Sequence, residues 1–236
     1  MYLLARHVHL CRTANHCVLL DLQADRYFCI DRPSFDALAP WLHGWPGACD
    51  PAREAMSSID AGIIALTDEL LSRGILTTQP EYGKAAAPAN GEPTASHELA
   101  LRHARISGLR AVAFFAPFFF ACRTAEARLK KPLAVTIEHI AKRKREHRSS
   151  KSCSPTRKQT LALAFAALRL FYPREYLCLF DSLALIEFLS LFNIFPEWIF
   201  GVTADPFNAH CWIQADDVLL NDTKSRVAEY NIIMRV

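Results

Sequence analysis

Directly after Cys178 the chain runs from Leu179 to Phe192 as LFDSLALIEFLSLF, apolar on nearly every side of the helix it predicts. A helix without a polar face has to be enclosed by other elements, so the domain that holds this segment is built around it. The cover follows in the sequence. Glu197 to Val202 (EWIFGV) reads as a strand, and Asp205 to Asn208 breaks the chain. His210 to Gln214 (HCWIQ) and Val218 to Asp222 (VLLND) then read as two more strands.

Cys178 stands at the N-terminal edge of that helix, where unpaired amides and the helix dipole favour a thiolate, the reactive form. A three-residue connection at Ala215–Asp217 sets His210 directly across from Asp222, with side chains about 5 Å apart. A two-residue connection instead sets Asp222 opposite Cys211. In the first register the carboxylate fixes the imidazole tautomer and stabilises its charged form. Alternation puts His210, Trp212 and Gln214 on one face, with Cys211 and Ile213 on the other; Cys211 reads as a buried strand residue. Cys178, His210 and Asp222 together form a nucleophile, base and orienter set.

The segment from Thr78 to Ser96 is rich in Pro, Gly, Ala and Thr without an apolar period, which predicts a linker between residues 1–77 and 97–236. Charge divides at the same place: Met1 to Thr77 holds six basic and nine acidic residues, and the remainder holds 21 and 15. In the first part, Tyr2 to Cys11, His16 to Leu22 and Asp25 to Ile30 predict three strands. A helix opens at Pro33-Ser34, another starts near Asp50-Pro51, and Leu66 to Arg73 carries Thr67 as N-cap and Gly74 as C-cap. His7, His9 and His16 lack a carboxylate at motif spacing and read as strand histidines. In the second part, His97 to Ala127, Leu133 to Arg148 and Thr156 to Tyr172 read as helical, with Pro117 bending or breaking the first.

Half of the residues are apolar and 22% are charged, which excludes a disordered chain. The eight cysteines show neither a C-x-x-C pair nor zinc-like spacing. Charged residues interrupt the first dozen positions, so no signal peptide is read. The run Ala111 to Cys122 falls short of the roughly 20 apolar residues a bilayer requires and reads as a buried helix. A soluble, cytoplasmic protein is the expectation. The basic stretch 142–148 reads as a solvated helix end. It lacks the interleaved aromatics of a single-strand groove, so neither nucleic acid nor membrane is an expected partner.

Two resemblances sharpen this reading. "LLDLQADRYFCID", with the strand and helix order around it, resembles the peptide-recognition domain related to the small chaperone of pyrroloquinoline quinone synthesis. There a leader peptide adds a strand beside the third strand and packs against the third helix. This implies Arg26, Tyr27, Phe28 and Ile30 as leader-binding residues. "CLFDSLALIEFL", "PFNAHCWIQADDVLLND" and "VAEYNII" resemble the transglutaminase-like cysteine protease of lasso-peptide biosynthesis, the B protein, in its fused form. That family usually has a small residue where Cys211 stands.

The implied fold is α+β. A small winged-helix-like peptide-recognition domain, three strands and then helices, precedes a papain/transglutaminase-like domain. The implied roles are Cys178 as nucleophile, His210 as base and acid, and Asp222 as orienter, with no metal. The implied activity is removal of the leader from a ribosomally made precursor before an asparagine-synthetase-like macrocyclase closes the macrolactam. ATP dependence is associated with that family, yet no G-x-x-x-x-G-K-[ST] occurs here and no nucleotide site is read. An acyl transferase of transglutaminase type, and a non-catalytic adaptor delivering precursor to the macrocyclase, stay open as alternatives.

Overall fold

The computed structural model describes residues 1–45, 61–89, 95–101, 107–147 and 154–236. The protein is α+β, strand-rich at its N-terminal end. Contacts divide it into two units, Met1–Asn90 with Val202–Asn208, and Gly91–Gly201 with Ala209–Val236.

In the first unit the apolar run Tyr2 to Cys11 is two strands rather than one, β1 (Leu3–Ala5) and β2 (Val8–Arg12), because Arg6 and His7 turn the chain. With β3 (His16–Asp21) and β4 (Arg26–Asp31), four strands precede the first helix. One sheet has the order β2-β3-β4, so β4 is an edge. Asp31 caps α1 (Arg32–Leu38) by accepting the Ser34 amide at 2.9 Å. In α2 (Ala61–Ser72), Thr67 is an interior residue and not the expected N-cap; its hydroxyl donates to the Ile63 carbonyl at 2.7 Å. Gly74, with φ of 67°, takes the left-handed conformation that ends the helix. The helix expected near Asp50-Pro51 lies outside the described residues.

The expected linker is corrected over residues 78–89, which fold into the first unit. After β5 (Leu76–Thr77), Gly83–Lys84 forms β6, and β1 runs between the two in a second sheet. The Ala86 amide bonds the His43 carbonyl at 2.7 Å, and the Ala89 amide bonds that of Leu10 at 3.0 Å. Gly83 is required by this closeness, since a Cβ there would meet Leu3 Cβ at 2.5 Å. A two-residue strand carries no alternation, so composition alone reads as linker. Val8, Leu10, Leu19, Phe35, Leu38 and Ile75 form much of the core.

The second unit begins with β7 (His97–Glu98), where a helix was expected. Then α3 (Gly108–Leu129) runs unbroken through Pro117. It buries Phe118, Ala121, Cys122 and Ala125 but leaves Leu109, Val112 and Phe120 largely exposed, so it is enclosed on one face only. By length and composition alone it is apolar enough to cross a membrane. After α4 (Leu133–Glu146) and α5 (Pro155–Arg169) comes α6 (Cys178–Ser190). Every residue of α6 from Ser182 to Ser190 is buried, as a helix without a polar face requires.

The sheet beside it combines β8 (Glu197–Ala204), β9 (Phe207–Ala215), β10 (Val218–Leu219) and β11 (Asn231–Arg235) with β7, in the order β11-β8-β9-β10-β7. Glu187 is a charge inside the apolar helix, tied to Arg128 Nε at 2.6 Å and Arg143 Nη1 at 2.8 Å. Arg143 is therefore drawn into the fold, as is Lys144, which donates to the Val236 carbonyl at 3.0 Å. These two members of the basic stretch depart from the solvated reading.

Candidate active site

Cys178 opens α6 because the chain ahead of it is wound around one buried guanidinium. Arg169, 3% exposed at the end of α5, donates to the carbonyls of Tyr172 (3.1 Å), Arg174 (3.0 Å) and Glu175 (3.0 Å) and to the Asp181 carboxylate. The other Asp181 oxygen reaches back one turn to accept the Leu177 amide at 2.8 Å, which satisfies one orphan donor at the helix start. The guanidinium also lies over the Tyr176 ring at 4.4 Å. Residues 172–177 are thus fixed at both ends, and Cys178 enters the first helical turn half-buried.

His210 and Asp222 are both buried, and His210 Nε2 bonds Asp222 Oδ2. The second Asp222 oxygen accepts the Thr223 amide at 2.8 Å. The His210 ring is flanked by Tyr230 at 5.1 Å and Trp212 at 6.0 Å, which restrict its rotation. With Nε2 committed to Asp222, Nδ1 is the nitrogen left for the Cys178 sulfur.

The register expectation that predicted this pair is corrected. The connection has two residues, Asp216 and Asp217, and the ladder pairs Val218 with Ala215 and Leu219 with Gln214. Continued further, it would set Asp222 opposite Cys211. It does not reach that far: β10 ends at Leu219, and the last backbone bond of the ladder is from the Leu220 amide to the Ile213 carbonyl at 2.9 Å. The Asn221 side chain takes over, accepting the Ile213 amide at 2.7 Å where a strand carbonyl would stand. Asn221 Nδ2 donates to the buried Ser182 hydroxyl at 2.9 Å, fastening this turn to α6. Asp222 leaves the strand path and meets His210 from there.

The electrostatics favour a thiolate–imidazolium pair. Hydrogen bonding with Cys211 first, and with His210 second, outweighs burial and lowers the Cys178 thiol to about 4. Burial disfavours the charged His210, but Asp222 and Cys178 outweigh it and raise the imidazole to about 8. Both groups are then charged between those values: the thiolate is lost as pH falls through the lower one, the imidazolium as pH rises through the upper. Alkylation of Cys178 by iodoacetamide is expected to rise near pH 4 and hold level to near pH 8, while kcat/KM is bell-shaped with the same limbs. A thiol titrating near its ordinary value would place the alkylation rise several units higher.

The first unit holds a different kind of site. A groove of about 540 Å³ lies between the β4 edge and α2, lined by Phe28, Ile30, Ile63, Leu66, Leu70 and Arg73 among others. Of the four residues expected to bind a leader, Phe28 and Ile30 line this groove, and Arg26 and Tyr27 do not. Arg73, which the sequence reading passed over, stands with its guanidinium 5.2 Å from the Phe28 ring centre. Arg169, Ser182 and Asn221 were passed over as well. Asp181 carried a readable signal, an acidic residue three positions into the helix; the lone Arg169 carried none. Among the described residues no group of three or more His, Cys, Asp or Glu could hold a metal ion.

Residues 116–235 match the family model of the transglutaminase-like superfamily, a span that includes Cys178, His210 and Asp222. The chain belongs to the transglutaminase-like superfamily. No curated protein and no solved structure matches it. The superfamily match begins within α3 and ends within β11, so it covers the helices and strands that carry the three residues and leaves the first unit outside. A transglutaminase-like domain implies a fold of the cysteine protease and acyl transferase type, in which an enzyme thiolate attacks a carbonyl carbon.

Proposed function

We propose that this protein is a cysteine endopeptidase that removes the leader from a ribosomally made lasso-peptide precursor before macrolactam formation. The observation that carries the reading is the buried His210–Asp222 pair serving a lowered-pKa cysteine at a helix N-terminus. The Cys178 thiolate attacks the carbonyl at the junction of leader and core. The Cys178 amide, in the first turn where no intrahelical acceptor exists, donates to the oxyanion. His210 then protonates the departing amine. Water, deprotonated by His210, releases the leader from the acyl-enzyme. The new N-terminus is the amine that an asparagine-synthetase-like macrocyclase joins to an acidic side chain.

The leader is held by the first unit. It adds a strand along β4, which is an edge of its sheet among the described residues, and its side chains enter the groove against α2. Binding remote from the scissile bond raises the local concentration of that bond and selects it.

Mass spectrometry of the precursor encoded beside the gene tests the reading, using wild type with Cys178→Ala as the blank. Added primary amine, ATP and macrocyclase are varied separately. A single leader-sized scission that needs Cys178 supports the peptidase. Amine-tagged leader in place of free leader acid would make it an acyl transferase, and maturation that survives Cys178→Ala would make it an adaptor.

A further inference from the structure

We propose that Cys178 and Cys211 form a reversible thiol modification site, in which a hydroperoxide oxidises Cys178 and Cys211 closes a disulfide. Its effect on activity rests on the reading of Cys178 as the nucleophile; the disulfide itself does not.

The geometry starts from Ser182, one helical turn beyond Cys178 on the same face of α6 and fully buried. Its hydroxyl donates to the Cys211 carbonyl at 3.2 Å, and the Cys211 thiol donates back to that hydroxyl at 3.8 Å. β9 therefore crosses the helix near its first turn, with the Cys211 sulfur directed at the face that bears Cys178. Asn221 holds the same hydroxyl from the other side, which keeps the crossing in register. The two cysteines are also linked by their protons. Cys211 is the first contributor to the Cys178 thiolate, through both its thiol and its backbone amide. In return, after burial, Cys178 is what holds the Cys211 thiol protonated. Alternation along β9 keeps Cys211 off the His210 face, so in the peptidase chemistry its sulfur only hydrogen-bonds the thiolate and takes no part in bond making. The other described cysteine of this unit, Cys122, is buried in α3.

The chemistry balances in two steps. The Cys178 thiolate attacks the hydroperoxide; an S–O bond forms, the O–O bond breaks, and the alkoxide or hydroxide leaves after taking the His210 proton. Cys178 is then a sulfenic acid, oxidised by two electrons, and the peroxide is reduced. The Cys211 sulfur attacks the Cys178 sulfur; the S–S bond forms, the S–O bond breaks, and the hydroxide leaves as water with the Cys211 proton. A dithiol reverses the disulfide by exchange. Without Cys211, a second peroxide carries the sulfenic acid on to sulfinic acid, from which ordinary thiols give no return.

The experiment treats full-length wild type, Cys211→Ala and Cys211→Ser with hydrogen peroxide, then with dithiothreitol. Intact masses are followed under non-reducing conditions, and each protein's activity is compared with its own untreated sample. Trypsin leaves both cysteines in one fragment, so mapping uses a protease that cuts at the acidic residues between them. Wild type is expected to lose two hydrogens, yield a linked pair containing Cys178 and Cys211, and recover with dithiothreitol. Both variants are expected to gain oxygen at Cys178 and to recover at least about ten-fold less activity. Wild type that gains oxygen at Cys178 as fast as the variants, or that links Cys178 to another cysteine, overturns the proposal. If the disulfide forms while Cys178→Ala still releases leader, the modification site stands and the peptidase reading falls.

Discussion

Cys178→Ala is expected to lower kcat/KM for the proposed leader release by about 10⁶-fold, and Asp222→Asn by about 10⁴-fold. The two losses have different origins. Alanine removes the atom that forms the acyl-enzyme, so only transition-state binding by the remaining groups is left. Asparagine keeps the volume and the contact with His210 Nε2 but removes the charge that favours the imidazolium. The His210 titration should then fall from about 8 towards its ordinary value, and the alkaline limb of the rate profile should move down with it. A double variant should lose little beyond Cys178→Ala alone, because the residues act as one unit. An Asp222→Asn protein with unchanged rate and unchanged alkaline limb would remove Asp222 from the site.

Arg169→Met is expected to destabilise the protein by about 3 kcal/mol and to abolish fast alkylation of Cys178. Methionine preserves much of the volume, so the loss is that of the charge and its donors. Three carbonyls between Tyr172 and Glu175 lose a donor, and the half-buried Asp181 loses its cation. Removing one member of a buried ion pair is costly because the other stays desolvated without compensation. Burial already raises the Asp181 carboxyl despite Arg169, so removing the guanidinium should raise it further and weaken its hold on the Leu177 amide. Arg169→Lys restores a point charge for Asp181 but cannot serve three carbonyls from one plane, so it should recover stability more than reactivity. Urea unfolding and iodoacetamide labelling read the two effects separately; a full-rate Arg169→Met protein would refute the positioning role.

What the sequence revealed about this domain followed from burial. The fourteen residues after Cys178, ten of them apolar and on nearly every side, could only be a core helix, and its first residue was thereby a helix N-terminus. The pairing of His210 with Asp222 was also legible, although by a register that does not exist. The connection is the shorter of the two that the sequence left open, and the strand stops before that register carries Asp222 to Cys211. Arg169 was hidden because a buried arginine and a solvated one look alike until the carbonyls that surround it are placed. Glu187 was hidden for the same reason within its apolar run. The outward face of α3 was misread because an apolar run marks a tendency to be covered, not what covers it.

The Asn221 amide has a consequence for how this fold can vary over descent. Where a carboxylate is aimed by strand register, each residue gained or lost in the preceding turn turns it to the opposite side of the sheet. Here the aiming is done by a side chain that grips Ile213 on one strand and Ser182 on the helix. The turn at Asp216-Asp217 is thereby released from aiming Asp222. Insertions there would lengthen a surface loop while the anchored tripeptide of Asn221, Asp222 and Thr223 kept its station, so length at this turn is free to drift between lineages in a way that a change at Asn221 is not.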